Sequence, residues 1–363
     1  MSVKQFQIKS IQPLSELEWS QYQKIGSIVL LIGMFTTFFG LGWDIEWHSD
    51  VGPDTFWTLP HIFVYSGAAL AGMTCLTVVL LSSFVDRPRP SMIPVFKVFR
   101  APVGFIVAGF GALGFLLFGL FDQWWHTLFG FDVAISSAPH VGLLLSNILT
   151  CAGGVLIFAQ GKRVQPIMLA LMLAVTVNIT LPVALQNFNE LDWTPLMMVF
   201  PALLLPFALM FAASVTRQIS TILYAAGFIW LFRLICEQAF PIMTNAYIQV
   251  LGLSIRDNNE NLVAMSFLTP ALIPVSALAM FLTLKLGQIR NWKVAPTIYL
   301  ASSLSVPFLF VDPLLSRFAL GAPWAIPILA LVGLGTGWLG WKLGVVARHA
   351  NQELKAAETL DAR

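Results

Sequence analysis

Residues 25–43 read IGSIVLLIGMFTTFFGLGW, a stretch of 19 residues without a charged side chain. A helix of about 20 apolar residues is long enough to cross the roughly 30 Å hydrocarbon core of a bilayer. Similar apolar runs recur along the 363-residue chain and begin near Ile25, Pro60, Pro102, Pro139, Pro166, Pro195, Ile219, Phe267, Val294 and Trp324. The sequence therefore predicts an all-α integral membrane protein with about ten transmembrane helices.

The composition of the whole chain agrees with this fold class. Hydrophobic residues make up 57% of the sequence and charged residues only 10%, with a mean hydropathy of +0.79. Soluble domains carry about 25% charged residues, so a soluble fold could not bury this much apolar surface. The formal net charge of +2 is too small to indicate a basic surface for nucleic acid, so we expect no nucleic-acid partner.

The sign of the charged residues alternates between successive connections. Basic residues occupy every second connection and the C-terminal tail: Arg87, Arg89, Lys97, Arg100, Lys162, Arg163, Arg217, Arg290, Lys293 and Arg348. By the positive-inside rule these segments face the cytoplasm. The other connections are acidic and hold Asp44, Glu46, Asp50, Asp54, Asp122, Asp132, Glu190, Asp192, Asp257, Glu260 and Asp312. The pattern predicts cytoplasmic termini and a multi-pass protein of the cytoplasmic (inner) membrane, with its acidic loops facing the periplasm or the exterior.

A proline follows each outward loop, one residue into the next apolar run. The dipeptides are Leu59-Pro60, Ala138-Pro139, Thr194-Pro195, Thr269-Pro270 and Ala322-Pro323. Proline suits the first helical turn, where its missing N–H has no partner to lose. The repetition predicts five helical hairpins in series, although helix-start chemistry alone explains the last three equally well. We divide the chain into a cytoplasmic segment (1–24), a four-helix unit (25–160), six further helices (161–347) and a cytoplasmic tail (348–363).

The first two outward loops share a set of polar and aromatic residues in the same order. The first loop carries Asp44, Trp47-His48, Gly52, Asp54 and Pro60-His61. The second carries Asp122, Trp125-His126, Gly130, Asp132 and Pro139-His140, with one extra residue before the proline. Four of the five histidines lie in these loops, and the fifth, His349, lies in the C-terminal tail. Repetition of the whole set favours a duplicated site over chance.

Each of these loops predicts a metal site. Asp44 and His48 are four residues apart, so they share a helix face if the first helix continues one turn beyond the membrane core. The returning Pro-His brings a second imidazole to the same boundary. A carboxylate with two imidazoles suits copper, iron or zinc, with positions left open for substrate or water. The predicted ligands are Asp44, His48 and His61 for one metal and Asp122, His126 and His140 for the other.

Single members of these motifs also have structural explanations. Tryptophan gathers at membrane interfaces, so a Trp-His pair can anchor a helix end through ordinary hydrogen bonds. Asp54 and Asp132 suit either loop positions or acceptors for imidazole N–H groups. In the seventh span, Arg233 and Glu237 lie four residues apart, and charges at membrane depth must pair or face a polar cavity. They predict an ion pair that fixes helix packing, or a supporting and proton-handling role beside the metal sites.

The two motifs resemble those of the C subunit of the copper membrane monooxygenases, the family of particulate methane and ammonia monooxygenases. The first family motif is Asp-x3-His-x12-His, and Asp44, His48 and His61 reproduce it, together with Trp47 and the stretch DTFWT at residues 54–58. The second family motif is Asn-x3-His-x13-His. His126 and His140 have its spacing, but Asp122 replaces the asparagine, and Ala138-Pro139-His140 lacks the residue that the family has between proline and histidine.

The resemblance covers about residues 25–160 and implies copper at the two sites, with dioxygen-dependent hydroxylation of a small or apolar substrate that enters from the lipid. It implies Asp122, His126 and His140 as catalytic residues, and a trimer or separate oxygenase subunits as partners. Trp47, Trp57, Trp124 and Trp125 would exclude water from the sites or act as oxidisable relays, unless they are interfacial anchors.

Three other hypotheses fit the same sequence. The chain could bind and deliver copper without catalysis, because its histidines form one outward layer and not a ladder through the membrane. It could bind haem between two imidazoles. Alternatively, the six later helices could carry the function while the first four keep only the fold.

Overall fold

The computed structural model describes residues 20–52, 55–86, 91–130, 137–160, 165–189, 194–256, 270–309 and 324–361. Helices make up about 85% of the structure. The helices of the described residues are α1 (Gln21–Asp50), α2 (Leu59–Phe84), α3 (Val103–Phe129), α4 (Ala138–Ala159), α5 (Pro166–Asn189), α6 (Thr194–Thr216), α7 (Thr221–Leu251), α8 (Ile273–Ile289), α9 (Val294–Leu309) and α10 (Ala325–Asp361). A two-stranded antiparallel hairpin, β1 (Met92–Val95) and β2 (Phe99–Pro102), connects α2 to α3.

Seven of the described helices are long and apolar enough to cross a bilayer: α1, α2, α3, α4, α6, α7 and α10. Within the described residues, three further apolar helical stretches of 10–17 residues are Pro166–Thr180 of α5, Ile273–Ile289 (α8) and Val294–Leu309 (α9). The prediction of an all-α, multi-pass membrane protein is therefore confirmed. The exact number of crossings and the side on which the termini lie stay predictions.

The first four helices form two close hairpins that contact each other through α2 and α3. Glycine lets the helices of each hairpin approach to backbone contact. A Cβ atom at Gly67 of α2 would lie 2.5 Å from the backbone nitrogen of Thr37 on α1, and one at Gly111 of α3 would collide with the backbone of Thr150 on α4. Small residues at helix crossings are typical of membrane proteins, where packing replaces the hydrophobic effect as the force between helices. These two contacts hold α1 against α2 and α3 against α4.

The later helices do not simply extend a series of hairpins. α10 packs along α6 as well as along α9, and α7 contacts α1 and α5. Where α10 packs on α6, two glycines of α10 lie against α6: Gly340 over the backbone of Phe207 and Gly344 over Ser214. The second half of the chain therefore folds back on itself and on the first helix.

The structure changes the position of several acidic residues that the sequence placed in the first outward loop. α1 continues to Asp50, so Asp44, Glu46 and Asp50 belong to its last two turns. Glu46 and Asp50 are buried, with 2% and 7% of their surface exposed. The reason is tertiary packing, because the end of α1 lies against α7 and the segment that follows α7.

Some predicted loop charges lie outside the described residues. They are Asp54, Arg87, Arg89, Asp132, Lys162, Arg163, Glu190, Asp192, Asp257, Glu260 and Asp312.

Candidate metal centres

The first group of predicted ligands meets at the end of the α1–α2 hairpin where α1 ends and α2 begins. Asp44 and His48 lie on one face of the last two turns of α1, and His61 lies on the first turn of α2. Nε2 of His61 is 3.2 Å from Oδ1 of Asp44, and Nε2 of His48 is 3.8 Å from the same oxygen. One carboxylate oxygen therefore faces two imidazole nitrogens.

The second group repeats this arrangement at the end of the α3–α4 hairpin where α3 ends and α4 begins. Asp122 and His126 lie near the end of α3, and His140 lies on the first turn of α4. Nε2 of His126 is 3.3 Å from Oδ2 of Asp122, and Nε2 of His140 is 3.5 Å from Oδ1. Asp122 is the more enclosed of the two aspartates, with 8% of its surface exposed. The structure thus brings together both predicted sets of three, each with its ligand atoms within 4.8 Å of one another.

Hydrogen bonds to backbone carbonyls fix the orientation of two of the imidazoles. Nδ1 of His61 lies 3.1 Å from the carbonyl oxygen of Thr55, and Nδ1 of His126 lies 3.0 Å from that of Gly130. A carbonyl oxygen only accepts, so Nδ1 donates in both contacts. In the neutral imidazole this assigns the proton to Nδ1, and Nε2 then presents a lone pair to the aspartate.

With neutral imidazoles, Nε2 of His61 therefore presents a lone pair to Oδ1 of Asp44, and Nε2 of His126 presents one to Oδ2 of Asp122. Oδ1 of Asp44 and Oδ1 of Asp122 are buried, and within the described part of the chain neither accepts a hydrogen bond. A buried carboxylate oxygen without a hydrogen bond is costly, and a lone pair facing it adds repulsion. A proton on Nε2 would also relieve the repulsion, because each imidazole would then form an ion pair with its aspartate. A metal ion would accept lone pairs from all three side chains at once, so the residues present fit a bound metal.

The distances agree with this interpretation. Nitrogen and oxygen ligands about 2.0–2.1 Å from a tetrahedral ion lie about 3.3–3.4 Å apart. The four nitrogen–oxygen separations of the two centres are 3.2, 3.3, 3.5 and 3.8 Å. Three protein ligands in each group leave at least one position for a further ligand, as catalytic metal sites do.

Two hydroxyl residues support the returning imidazoles and were not singled out from the sequence. Thr58 and Ser137 each occupy the N-cap position of their helix, three residues before the histidine. Their Oγ atoms lie 3.3 Å from Nδ1 of His61 and 2.9 Å from Nδ1 of His140. The signal was present in both copies, which read Thr-Leu-Pro-His and Ser-Ala-Pro-His, but a hydroxyl is also the common residue at any N-cap.

Ser137→Ala is expected to weaken metal binding at the second centre by about 10–100-fold, the usual effect of removing a partner that orients a ligand imidazole. The measurement is a competition titration of the purified protein with a chelator of known affinity. Ser66→Ala is the matched control, because Ser66 lies on α2 and its hydroxyl bonds only the helix carbonyl of Phe63 among the contacts described. Equal affinities for the Ser137 variant and the control would contradict the role of the N-cap hydroxyl.

The end of α1 is held in place by the segment that follows α7. The backbone N–H of Arg256 donates to the carbonyl of Asp50 at 2.9 Å, and its Nε donates to the carbonyl of Val51 at 3.1 Å. The guanidinium covers Gly52, whose φ of +111° suits glycine alone. A basic group at a helix C-terminus also offsets the negative end of the helix dipole. Arg256 therefore stabilises the two turns that present Asp44 and His48.

The tryptophans near the centres divide into two kinds. Trp47 is buried, with 1% of its surface exposed, and its ring centroid lies 5.0 Å from that of Tyr247 on α7. Trp57 and Trp124 are 76% and 53% exposed, as interfacial anchors are. Trp125 is half-buried, and its ring is tilted against that of Phe129 at a centroid distance of 4.4 Å. Other side chains of the protein thus cover Trp47 fully and Trp125 in part, whereas Trp57 and Trp124 are exposed.

Arg233 and Glu237 form the ion pair that their spacing predicts. Nε of Arg233 donates to Oε1 of Glu237 at 2.7 Å, and both side chains are mostly buried. The pair is not at a helix end, because α7 continues to Leu251. The neighbouring Phe232 packs against Phe38, six residues before Asp44 on α1, so the pair lies nearer the middle of α1 than the first centre does. Asp54 and Asp132, the other predicted supporting residues, lie outside the described residues.

No family model, curated protein or solved structure matches this chain. The assignment of a function therefore depends on the two centres themselves and on the motifs that form them.

Proposed function

We propose that the chain is a copper-dependent membrane oxidoreductase of the monooxygenase type, with one metal ion in each centre. The proposal depends on one observation, which is made twice: a carboxylate and two imidazoles converge at one point. In each case a buried oxygen of the aspartate accepts no hydrogen bond from the described residues. Duplication of the same ligand set at two helical hairpins is not needed for packing, because the glycine contacts already hold each hairpin together.

Asp44, His48 and His61 would hold one ion, and Asp122, His126 and His140 the other. Copper, when bound, supplies one-electron redox chemistry and binds dioxygen. The aspartate offsets the charge of the ion in each centre, and the Nδ1 contacts fix the imidazoles in the orientation that binding requires. Imidazole ligands favour copper, and the family resemblance points the same way, with iron and zinc as alternatives.

The second centre is the better candidate for catalysis. Asp122 is buried, and the ring of Trp125 lies 5.8 Å from that of Phe121 and 4.4 Å from that of Phe129. On the same helix, Leu128 and Phe129 are each 57% exposed and face outward from the protein. An apolar substrate dissolved in the lipid would therefore meet apolar side chains before it reached Asp122, His126 and His140.

The proposal also places both centres at the non-cytoplasmic boundary of the membrane. Both lie at the ends of helices that the charge pattern directs away from the cytoplasm, at the level of the exposed Trp57 and Trp124. With ten crossings, both termini would lie in the cytoplasm. The family resemblance extends the proposal to assembly, with a homotrimer or separate oxygenase subunits as partners in catalysis.

Copper binding and delivery without catalysis is a second candidate function. The side chains of His48 and His140 are 33% and 31% exposed, so a metal in either centre could exchange with a soluble carrier. Haem is a poorer fit to these residues. In the first centre, Oδ1 of Asp44 lies within 3.8 Å of both imidazole nitrogens, where the iron and porphyrin would have to be.

Oxygen-isotope incorporation tests the proposed activity. Copper-loaded protein in lipid nanodiscs is supplied with a reductant, ¹⁸O-labelled dioxygen and, in turn, short alkanes, ammonia and a lipid-like hydrocarbon. We expect one labelled oxygen atom in the product from at least one substrate, and no product from the His140→Ala variant. Full copper occupancy with no labelled product from any substrate would contradict the oxygenase proposal and favour copper delivery.

A further inference from the structure

The hairpin β1–β2, on the side of the membrane opposite the metal centres, exposes apolar side chains at and near its turn. Met92 and Ala101, at the base of the two strands, are buried. Ile93 and the turn residues are exposed, with Ile93 at 41%, Phe96 at 77% and Val98 at 61%. A hairpin in water would bury or replace such residues, so their exposure requires an apolar neighbour.

The turn of the hairpin keeps a bulky residue in an unfavourable backbone conformation. The N–H of Val98 bonds the carbonyl of Val95 at 3.2 Å, and the two residues between them, Phe96 and Lys97, have φ values of +50° and +60°. Turns with two positive φ values strongly prefer asparagine and glycine. A phenylalanine there costs conformational energy, which its contacts must offset.

Phe96 finds its contact on the lipid-facing side of α3. Its ring centroid lies 6.4 Å from that of Phe110, which is itself 47% exposed. Phe110 begins a stripe of exposed apolar residues at helical spacing along α3: Phe110, Leu113, Leu117 and Leu120. In a membrane-spanning helix such a stripe faces lipid. The tip of the hairpin therefore lies against a lipid-facing surface.

Helix geometry sets the depth of the tip. α3 has 27 residues and is about 40 Å long, roughly 10 Å more than the hydrocarbon core. Phe110 lies seven residues after the start of α3 at Val103, or about 10 Å along the axis. The hairpin is thus folded back along α3 to the border between headgroups and hydrocarbon, and does not project away from the membrane.

Basic residues accompany the apolar ones. Lys97 in the turn and Arg100 on β2 are exposed, next to Phe96 and Val98. The backbone N–H of Arg100 bonds Oγ of Ser83 at 2.9 Å, and Phe99 packs on Phe84, so the hairpin is fixed to the end of α2. Apolar groups at hydrocarbon depth with cations beside them are the pattern that binds an anionic membrane surface.

We propose that this hairpin is a lipid-binding element, which inserts Phe96 and Val98 into the cytoplasmic leaflet and holds the headgroups of anionic phospholipids with Lys97 and Arg100. It is independent of the metal centres, and its failure would leave the proposed function untouched. The charge and the depth of the tip together select anionic lipid over a protein partner.

Fluorescence quenching by brominated lipid tests the proposal on the full chain. Val98→Cys is labelled with an environment-sensitive fluorophore and reconstituted into phosphatidylcholine bilayers that contain either brominated phosphatidylglycerol or brominated phosphatidylcholine. Cys75, Cys151 and Cys236 are buried, and labelling of the unsubstituted chain measures their background. Gln218→Cys, in the exposed turn before α7, is the control position on the same predicted side of the membrane.

We expect strong quenching of the label at position 98 and little at position 218, with brominated phosphatidylglycerol roughly twofold or more as effective as brominated phosphatidylcholine. Lys97→Gln combined with Arg100→Gln should abolish this preference. Phe96→Gly, which relieves the backbone conformation but removes the ring, should reduce quenching at position 98. A label at position 98 that is quenched no more than the control would overturn the insertion, and equal quenching by the two lipids would overturn the anionic selectivity.

Discussion

His61→Ala and His140→Ala are each expected to remove one bound metal ion per chain and to leave the other centre occupied. Each histidine is one of three proposed ligands, and its Nε2 lies 3.2 or 3.5 Å from the aspartate of its centre. Loss of a ligand should weaken binding by more than the roughly 10–100-fold that follows loss of an orienting partner. The measurement is metal content per chain after dialysis against a weak chelator.

His349→Ala is the matched control for these variants. His349 is an exposed histidine of α10, far along the chain from both hairpins, and its loss should leave the metal content unchanged. His61 and His140 lie on first helical turns, where substitution does not create a cavity in the core, so both variants should insert and unfold at nearly the temperature of the metal-free wild type. Full metal content in both variants would contradict the site assignment.

Gly67→Ala is expected to destabilise the protein by about 1–3 kcal/mol and to lower metal retention in the first centre. The added methyl group would lie 2.5 Å from the backbone nitrogen of Thr37 and 2.6 Å from the carbonyl oxygen of Gly33, so α1 and α2 would have to separate. Separation of these helices moves His61 away from Asp44. The measurements are thermal unfolding in detergent and metal content of the same sample.

Gly72→Ala provides the control on the same helix. Its methyl group would meet only the Cβ of Ala112, at the ordinary contact distance of 3.4 Å. Because alanine favours a helix over glycine by about 1 kcal/mol, this variant should be as stable as the wild type or more stable. Similar losses of stability for both glycine variants would show that close packing of α1 on α2 does not position the first centre.

The sequence was sufficient to predict the helices and to show which aspartates and histidines would lie together. Long apolar runs form helices in a membrane because every backbone polar group must be bonded internally, which leaves few alternatives. The four-residue spacing of Asp44 and His48 fixes a common helix face, and a short loop returns His61 to the same end of the hairpin. These are local rules, and the second hairpin follows them with Asp122, His126 and His140.

The features that the sequence did not predict depend on tertiary contacts. Glu46 belongs to an acidic stretch, and only the packing of α1 on α7 shows that it is buried. The return of α10 to α6 depends on glycines such as Gly340, whose partners lie far away in the chain. The β1–β2 hairpin was not predicted because its turn carries Phe96 and Lys97. Asparagine and glycine at these positions would have indicated a hairpin turn.

Elemental analysis of the full chain, purified in detergent and loaded with copper, iron and zinc in competition, tests the central claim most directly. An optical spectrum of the same sample shows whether haem is present. We expect about two copper ions per chain, one for each of the two Asp-His-His groups, and no haem band. A chain that retains none of these metals would contradict the claim, because the facing acceptors of both centres would then be stable without a cation.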